Sequence, residues 1–322
     1  MSTLETSTEI TRRPFSGRRV RFGDLILQVV AGTAAFGVVV IVGLIAYKLI
    51  EGARLSISTF GLGFLVHETW DIAAGHFGAA NFIYGTAITG LGALLIATPL
   101  ALGIAIYLSE LAPRWVRGPV TALVETLAAI PSVIIGFWAL IVLAPFLVSD
   151  VNPALHSVLG FIPLFGPSTQ GKNLFTAIIV LTIMILPIIA SVAREIFLGV
   201  PPELKEGALG LGTTRWEMVR GVVLPYSRAG IAAAMILGLG RAIGEAIALL
   251  LVVGGGGTIS ANLFQPGNTV AARIASEFQG AQTPLELASI FYLAAVLLVF
   301  SLAVNLLAQV IIRRANRRIG GA

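Results

Sequence analysis

Two residues of opposite charge stand four positions apart in a mostly apolar part of this sequence. Arg241 and Glu245 lie in the run 226–253, and on one continuous helix this spacing places both side chains on the same face, where they can neutralise one another. Ionisable groups in such a run are costly and are candidates for function. Arginine offers a planar fork of donors that matches oxyanions. The pair therefore predicts either a site where an anion crosses an apolar environment, with Glu245 keeping binding weak enough for release, or a buried ion pair that only fixes packing.

A third ionisable residue, Glu125, lies in another apolar run, 119–147. It is either a carboxylate at the membrane interface or a further residue of the same anion path.

Six apolar runs must position these residues. Of the 322 residues, 57% are hydrophobic and 11% are charged, and the mean hydropathy is +0.94, whereas a soluble domain has about 25% charged residues. This composition excludes an ordinary soluble enzyme and a disordered chain. The predicted fold is all-α, a polytopic membrane protein with six transmembrane helices, because a bilayer core needs about 20 helical residues. The runs that meet this length are 25–49, 82–108, 119–147, 174–197, 226–253 and 286–312.

The basic residues predict how the chain crosses the membrane. Sixteen Lys and Arg residues fall on the side of the two termini and four on the other side, and such an excess is typical of the cytoplasmic side. Both termini are therefore expected in the cytoplasm, and the net charge of +5 needs no nucleic acid as partner. The predicted organisation is a cytoplasmic tail over 1–24, a first helix with an extracytoplasmic loop over 25–80, a five-helix core over 81–312 and a basic cytoplasmic tail over 313–322. The first run is too long for the apolar region of a signal peptide, so we expect a retained span.

The sequence offers no constellation for covalent catalysis or for metal binding. It has no cysteine, and its three histidines are scattered without the close spacing of metal ligands. Residues 166–173 approach the phosphate-binding pattern G-x-x-x-x-G-K-[ST], but Asn173 replaces the hydroxyl residue that holds Mg²⁺. We therefore expect a transport subunit without a cofactor or nucleotide site of its own, whose ATP and Mg²⁺ are bound by another polypeptide.

A polar segment between the fourth and fifth runs predicts two short helices that meet at a corner. Pro202 suits the first turn of a helix, and Gly212 can adopt the left-handed conformation that ends one. Thr214 and Glu217 have the spacing of a capping box, which opens a second helix. The segment 202–225 is thus expected as a helix pair on the cytoplasmic face. An ordinary pair of surface helices lying along the headgroups is the alternative.

The same segment resembles the E-A-A…G…I-x-L-P signature of ABC importer permeases. The residues that match at the family's spacing are Glu206, Gly207, Ala208, Gly212, Val222, Leu224 and Pro225. Gly207 replaces the first alanine at about 1 kcal/mol of helix propensity, and Val222 replaces the isoleucine. The resemblance implies the type I ABC importer permease (MetI-like) fold. It also implies that this segment docks into a cleft on a separate ATPase and transmits the closure of that ATPase to the membrane helices.

Wider stretches resemble the PstC type of phosphate-uptake permease. They are Phe82–Thr86, Ile104–Glu110, Glu125–Gly136, Ile185–Ser191 and Gly238–Glu245. The resemblance implies passage of phosphate at Arg241 and Glu245, by alternating access across a bacterial cytoplasmic (inner) membrane. It implies four kinds of contact: a second permease of the PstA type, two ATPase subunits of the PstB type, an extracytoplasmic phosphate-binding protein of the PstS type, and the lipid bilayer. A permease for sulfate or molybdate stays open as an alternative, because Arg241 suits any oxyanion, and so does an ion-gradient-driven transporter without an ATPase.

Overall fold

The computed structural model describes residues 22–168 and 170–319, and these residues are mostly helical. The predicted tail over 1–24 lies outside the described residues except for its last three, and so do the last three residues of the tail over 313–322. The α-helices of the described part, numbered along the chain, are α1 (Phe22–Phe60), α2 (Ala80–Ile106), α3 (Arg114–Ala129), α4 (Ser132–Trp138), α5 (Ala144–Phe146), α6 (Asn152–Leu159), α7 (Leu174–Leu198), α8 (Pro202–Gly210), α9 (Arg215–Met218), α10 (Leu224–Gly244), α11 (Ile247–Val252), α12 (Val270–Glu277) and α13 (Pro284–Ile319). Wider π-helical turns follow α2, α4, α5 and α9, at Tyr107–Leu111, Ala139–Leu143, Leu147–Val151 and Val219–Val223.

A short antiparallel hairpin joins α1 to α2. Its strands are β1 (Trp70–Asp71) and β2 (His76–Phe77), with Trp70 opposite Phe77. By its contacts the chain divides into two compact units, Met1–Lys48 and Leu49–Ala322. The functional residues predicted above all belong to the second unit, and the description below concerns that unit.

Six helical segments among the described residues are long and apolar enough to cross a membrane. They are Gly23–Leu65, Ala80–Leu111, Ser132–Leu159, Leu174–Leu198, Arg215–Gly244 and Pro284–Val310. The predicted all-α fold with six spans is confirmed. The first helix continues beyond the predicted limit of residue 49 as far as Phe60, because Ala53 and Ser56 are fully buried there and the Ser289 hydroxyl donates to Ser56 Oγ at 3.1 Å.

The third span does not have the predicted bounds of 119–147. Helix α3 ends at Ala129, Ile130 is extended with ψ 128°, and α4 begins at Ser132. Pro131 explains the break, since proline disfavours the helical conformation of the residue before it. The segment long enough to span therefore starts at Ser132, and α3 is a separate helix with no buried residue in this chain. Hydropathy alone does not separate α3 from this span, because the residues on both sides of Pro131 are apolar.

The fifth run, 226–253, is also interrupted. Helix α10 ends at Gly244, Glu245 is extended with ψ 121°, and α11 begins at Ile247. The Glu245 carboxylate accepts a hydrogen bond from the backbone N–H of Ala248 at 3.3 Å, so it serves an otherwise unpaired donor in the first turn of α11. The single continuous helix expected here is wrong.

The core of the second unit lies where α2 and α10 both pack against α7. One row of α2 consists of small residues at intervals of four, all fully buried: Ala93, Ala97, Ala101 and Ala105. Larger side chains of α7, among them Leu181, Ile185 and Ile189, are fully buried in the same region. Small residues let two helix backbones approach closely, which is the usual basis of helix packing in membranes.

The connection after α11 is fixed tightly to α2. The side-chain amide of Asn81 donates to the Gly256 carbonyl at 2.8 Å, and the Tyr84 hydroxyl donates to the Ser260 carbonyl at 2.8 Å. A Cβ added to Gly85 would stand 1.8 Å from the Asn268 carbonyl oxygen, so only glycine lets the two backbones come this close. This loop is therefore packed rather than loose.

Candidate functional site

Arg241 lies in the last turn of α10, and its side chain is exposed on the surface of this chain. A cation is favourable at this position, because the C-terminal end of a helix carries partial negative charge. Among the described residues Arg241 forms no ion pair with Glu245. Within the described part of the chain, no carboxylate therefore has to release the guanidinium before an anion can bind to it.

Glu245 occupies a different environment from Arg241. Its side chain is 8% exposed, and it lies on the extended residue between α10 and α11 rather than on the face of one helix. The predicted shared face is wrong because the helix stops one residue before Glu245. The two charges remain neighbours in the chain, with the arginine open and the carboxylate buried at a helix junction.

Glu125 is carried by α3 and is exposed. It lines a narrow cleft together with Thr121 of the same helix and with Ser191 and Arg194 of α7. The hydroxyl of Thr121 and the Nε atom of Arg194 are buried there without a hydrogen-bond partner in the described part of the chain. The cleft can thus take a further polar group. Arg241, Glu245 and Glu125 lie on separate elements, and a shared role of the three stays a prediction.

The helical corner between the fourth and fifth spans has the local structure that its sequence predicts. Helix α8 begins at Pro202 and ends at Gly210, and Gly212 has a φ of +85°. Thr214 and Glu217 form the capping box: the Glu217 carboxylate accepts from the Thr214 N–H at 2.7 Å, and the Glu217 N–H donates to the Thr214 hydroxyl at 3.3 Å. One feature differs: α9 does not end, but continues through a π-helical turn into α10. The corner is therefore continuous with the fifth span.

The residues of the signature divide between an open and a covered side of this corner. Glu206, Gly207 and Gly212 are exposed, whereas Ala208, Val222, Leu224 and Pro225 are partly buried. Leu211 and Trp216, which flank Gly212, are 88% and 63% exposed. Large apolar side chains exposed together on such a surface are typical of a site for another protein.

A partly buried ion pair at the corner could not be found from the sequence. Lys205 of α8 lies 2.7 Å from Glu110, which is 95 positions away in the chain. Neither residue belongs to a recurring motif, so no local signal joins them. Glu110 ends one of the stretches that resemble the PstC type, and Lys205 lies in the segment 202–225.

A second partly buried cation, Arg273 of α12, lies against aromatic side chains of the β-hairpin and of α2. Its guanidinium is 5.2 Å from the centre of the Trp70 ring and 5.6 Å from that of Phe82, and it pairs with Glu277 at 3.2 Å. Burial lowers the pKa of Arg273, while the nearby carboxylates of Glu277 and Glu286 oppose this shift. From the sequence alone, Arg273 is only one of the four basic residues predicted to lie on the side opposite the two termini.

The described residues contain no group of three or more His, Cys, Asp or Glu side chains that could hold a metal ion. Asn173, at the end of the stretch that approaches a phosphate-binding loop, has a local structural role. It is fully buried, and its side-chain oxygen accepts from the Thr176 N–H at 2.9 Å at the start of α7.

The fold of this chain has a counterpart among solved structures. A crystal structure of a bacterial ABC transporter involved in the import of the acidic polysaccharide alginate has the same fold, with a TM-score of 0.58 at 19% identity over 91% of this chain and 98% of that chain. Residues 77–319 match the family described as binding-protein-dependent transport system inner membrane component. The chain belongs to this family, and the predicted ABC importer permease fold is confirmed.

Relatives of this chain are similar along almost its whole length. The phosphate transport system permease protein PstC of Mesorhizobium japonicum is 41% identical over 99% of this chain and 100% of its own length. The protein of the same name from Haemophilus influenzae is 42% identical over 89% and 93%. PstC 2 of Mycobacterium tuberculosis is 38% identical over 91% and 93%. The resemblance to the PstC type therefore holds for the whole chain and is not limited to isolated motifs.

Proposed function

We propose that this chain is the membrane-spanning permease subunit of an ATP-driven importer that carries inorganic phosphate into the cell. The observation that supports it most strongly is the similarity of about 40% over nearly the full length to proteins named as phosphate permeases. The open guanidinium of Arg241 at the end of α10 agrees with an anionic substrate. A buried carboxylate close to it in the chain agrees with weak binding, which transport requires.

The partners of this proposal are those of a PstC-type system. They are a second permease of the PstA type, two ATPase subunits of the PstB type and a PstS-type phosphate-binding protein outside the membrane. ATP and Mg²⁺ belong to the ATPase subunits, and both termini of this chain face the cytoplasm. The exposed residues Leu211 and Trp216 beside Glu206 support docking of an ATPase at the corner.

Transport proceeds in this proposal by alternating access. The binding protein delivers phosphate to the outer loops, and ATP closes the two ATPase subunits on the helical corner. Because α9 continues into α10, movement of the corner displaces the fifth span and with it Arg241. Arg241 compensates the charge of phosphate as the ion passes, and Glu125 lines the path nearer to the cytoplasm. The chain performs no covalent chemistry.

The test is uptake of phosphate by vesicles that contain the complete reconstituted complex with its binding protein. Phosphate, sulfate and molybdate are compared for stimulation of ATP hydrolysis and for uptake. Stimulation by phosphate alone supports the proposal, and stimulation by another oxyanion alone replaces phosphate as the substrate. Uptake by this chain and its partner permease without any ATPase would revive a transporter driven by an ion gradient.

The variant Arg241→Ala tests whether Arg241 lies on the path of phosphate. The side chain is exposed in this chain, so the complex is expected to assemble while phosphate uptake is lost. Arg228→Ala is the matched control, because Arg228 is an exposed arginine near the other end of α10. Unchanged uptake kinetics in Arg241→Ala would remove Arg241 from the path.

A further inference from the structure

The ammonium group of Lys205 connects the helical corner to the inner ends of two spans. Lys205 Nζ lies 2.7 Å from Glu110 Oε1 and donates to the Phe197 carbonyl at 2.9 Å. Glu110 belongs to the π-helical turn that ends the second span, and Phe197 to the last turn of α7, the fourth span. Lys205 thus joins α8 to both spans at once.

Glu110 also holds the second helix of the corner. Arg215, the first residue of α9, donates from Nη1 to the Glu110 carbonyl at 3.2 Å. One residue of the second span therefore contacts α8 through its side chain and α9 through its backbone. The two helices that meet at Gly212 have a common anchor.

The ion pair is shielded from water, although the face of the corner beside it is open. The side chains of Lys205 and Glu110 are 16% and 8% exposed, whereas Glu206 and Gly207, next in the chain, are exposed. The same region contains an apolar cluster that includes Phe197, Met218 and Val223. Helix α8 therefore presents one side for docking and turns Lys205 to the other side.

The low exposure of Lys205 and Glu110 to water determines how costly the loss of one partner is. Removal of one partner would leave the other charge buried and uncompensated, which is strongly unfavourable. Apolar contacts alone permit small displacements along a surface, whereas a charge-assisted hydrogen bond fixes both distance and direction. The corner is therefore held to the spans at a defined point and not only by its apolar contacts.

We propose that Glu110 and Lys205 are positioning residues that make the docking corner move as one body with the inner ends of the second and fourth spans, so that their loss separates ATP hydrolysis from transport. This inference rests on the proposed function, because it presumes an ATPase at the corner. Neither residue touches the substrate. Their effect passes through α8 and α9 to the membrane helices.

The experiment measures the number of ATP molecules hydrolysed per phosphate imported, in vesicles that contain the complete complex. Glu110→Gln and Lys205→Met are each expected to raise this ratio above the wild-type value, with ATPase subunits still bound. The reversal Glu110→Lys with Lys205→Glu restores the ion pair between α8 and the second span but not the hydrogen bond to the Phe197 carbonyl, because a carboxylate cannot donate it. The ratio is therefore expected to return part of the way to the wild-type value relative to either single reversal. A purely structural role would lower uptake and hydrolysis together and leave the ratio unchanged.

The control is Glu277→Gln, because Glu277 pairs with Arg273 at 3.2 Å with side chains 21% and 19% exposed, and this ion pair lies in α12, outside the corner. Its ratio should stay at the wild-type value. An unchanged ratio in both single variants overturns the proposal. If the single variants lose their ATPase subunits, the double reversal decides: recovery of assembly and ratio supports the pair, and no recovery overturns it. Failure of the wild-type complex to import phosphate counts against the proposed substrate instead, and the ratio is then measured with the oxyanion that is imported.

Discussion

Substitution by alanine at two glycines of the helical corner should change its local stability in opposite directions. Gly212 has a φ of +85°, and a Cβ added there meets no atom within 4 Å. The cost of Gly212→Ala is therefore purely conformational, about 1–2 kcal/mol for an L-residue held in the left-handed region. Gly207 lies within α8 and also has free space around a new Cβ. Gly207→Ala should therefore stabilise α8 by about 0.5–1 kcal/mol, since alanine loses less backbone entropy in a helix.

Amide hydrogen exchange over residues 202–218 of the assembled complex measures both changes in stability, because exchange rates report the free energy of local opening. Since about 1.4 kcal/mol corresponds to a factor of ten, exchange in α8 and α9 should become roughly five- to thirtyfold faster in Gly212→Ala. In Gly207→Ala, exchange in α8 should become roughly two- to fivefold slower. Each variant serves as the control for the other. Equal shifts in the same direction would refute the reasoning, because they would show that the corner does not depend on a left-handed residue at Gly212.

Three other substitutions test separate parts of the structure. Thr214→Ala removes half of the capping box and should cost about 1 kcal/mol, seen as faster amide exchange confined to residues 215–218; unchanged exchange there would contradict the capping role. Gly85→Ala would place a Cβ 1.8 Å from the Asn268 carbonyl, so the loop after α11 must move and phosphate uptake should fall, whereas Gly103→Ala on the same helix has free space and should transport normally. Glu245→Gln keeps an acceptor for the Ala248 N–H but removes the charge, so both KM and the maximal rate of uptake should fall as phosphate binds more tightly; a raised KM would argue against competition between the carboxylate and phosphate.

The sequence was most informative where structure depends on neighbouring residues. Gly212 and the capping box at Thr214 could be predicted because left-handed backbone and helix capping are decided within a few positions. The number of spans followed from the length of the apolar runs. The bounds of the third and fifth spans could not be predicted, since mean hydropathy does not register the extended residues Ile130 and Glu245.

The candidate site was only partly predictable for the same physical reason. The prediction that Arg241 is a site residue follows from the cost of a charge in an apolar run, but the different environments of Arg241 and Glu245 depend on where α10 ends. The contact between Lys205 and Glu110 joins distant parts of the chain and exists only once the second and fourth spans have packed together. Such contacts are set by tertiary packing, which a single sequence does not display.

The row of fully buried alanines on α2, from Ala93 to Ala105, has a consequence for entropy. Alanine has no rotamers to lose on burial, whereas each buried leucine loses about 0.5–1 kcal/mol of rotamer entropy. These four alanines therefore add no side-chain entropy cost to the contact with α7. Each interval of four residues advances about 6 Å along the helix axis and turns about 40° beyond one full turn, so the row of alanines winds slowly around α2. A close approach of the two backbones is thereby possible along about 18 Å of α2.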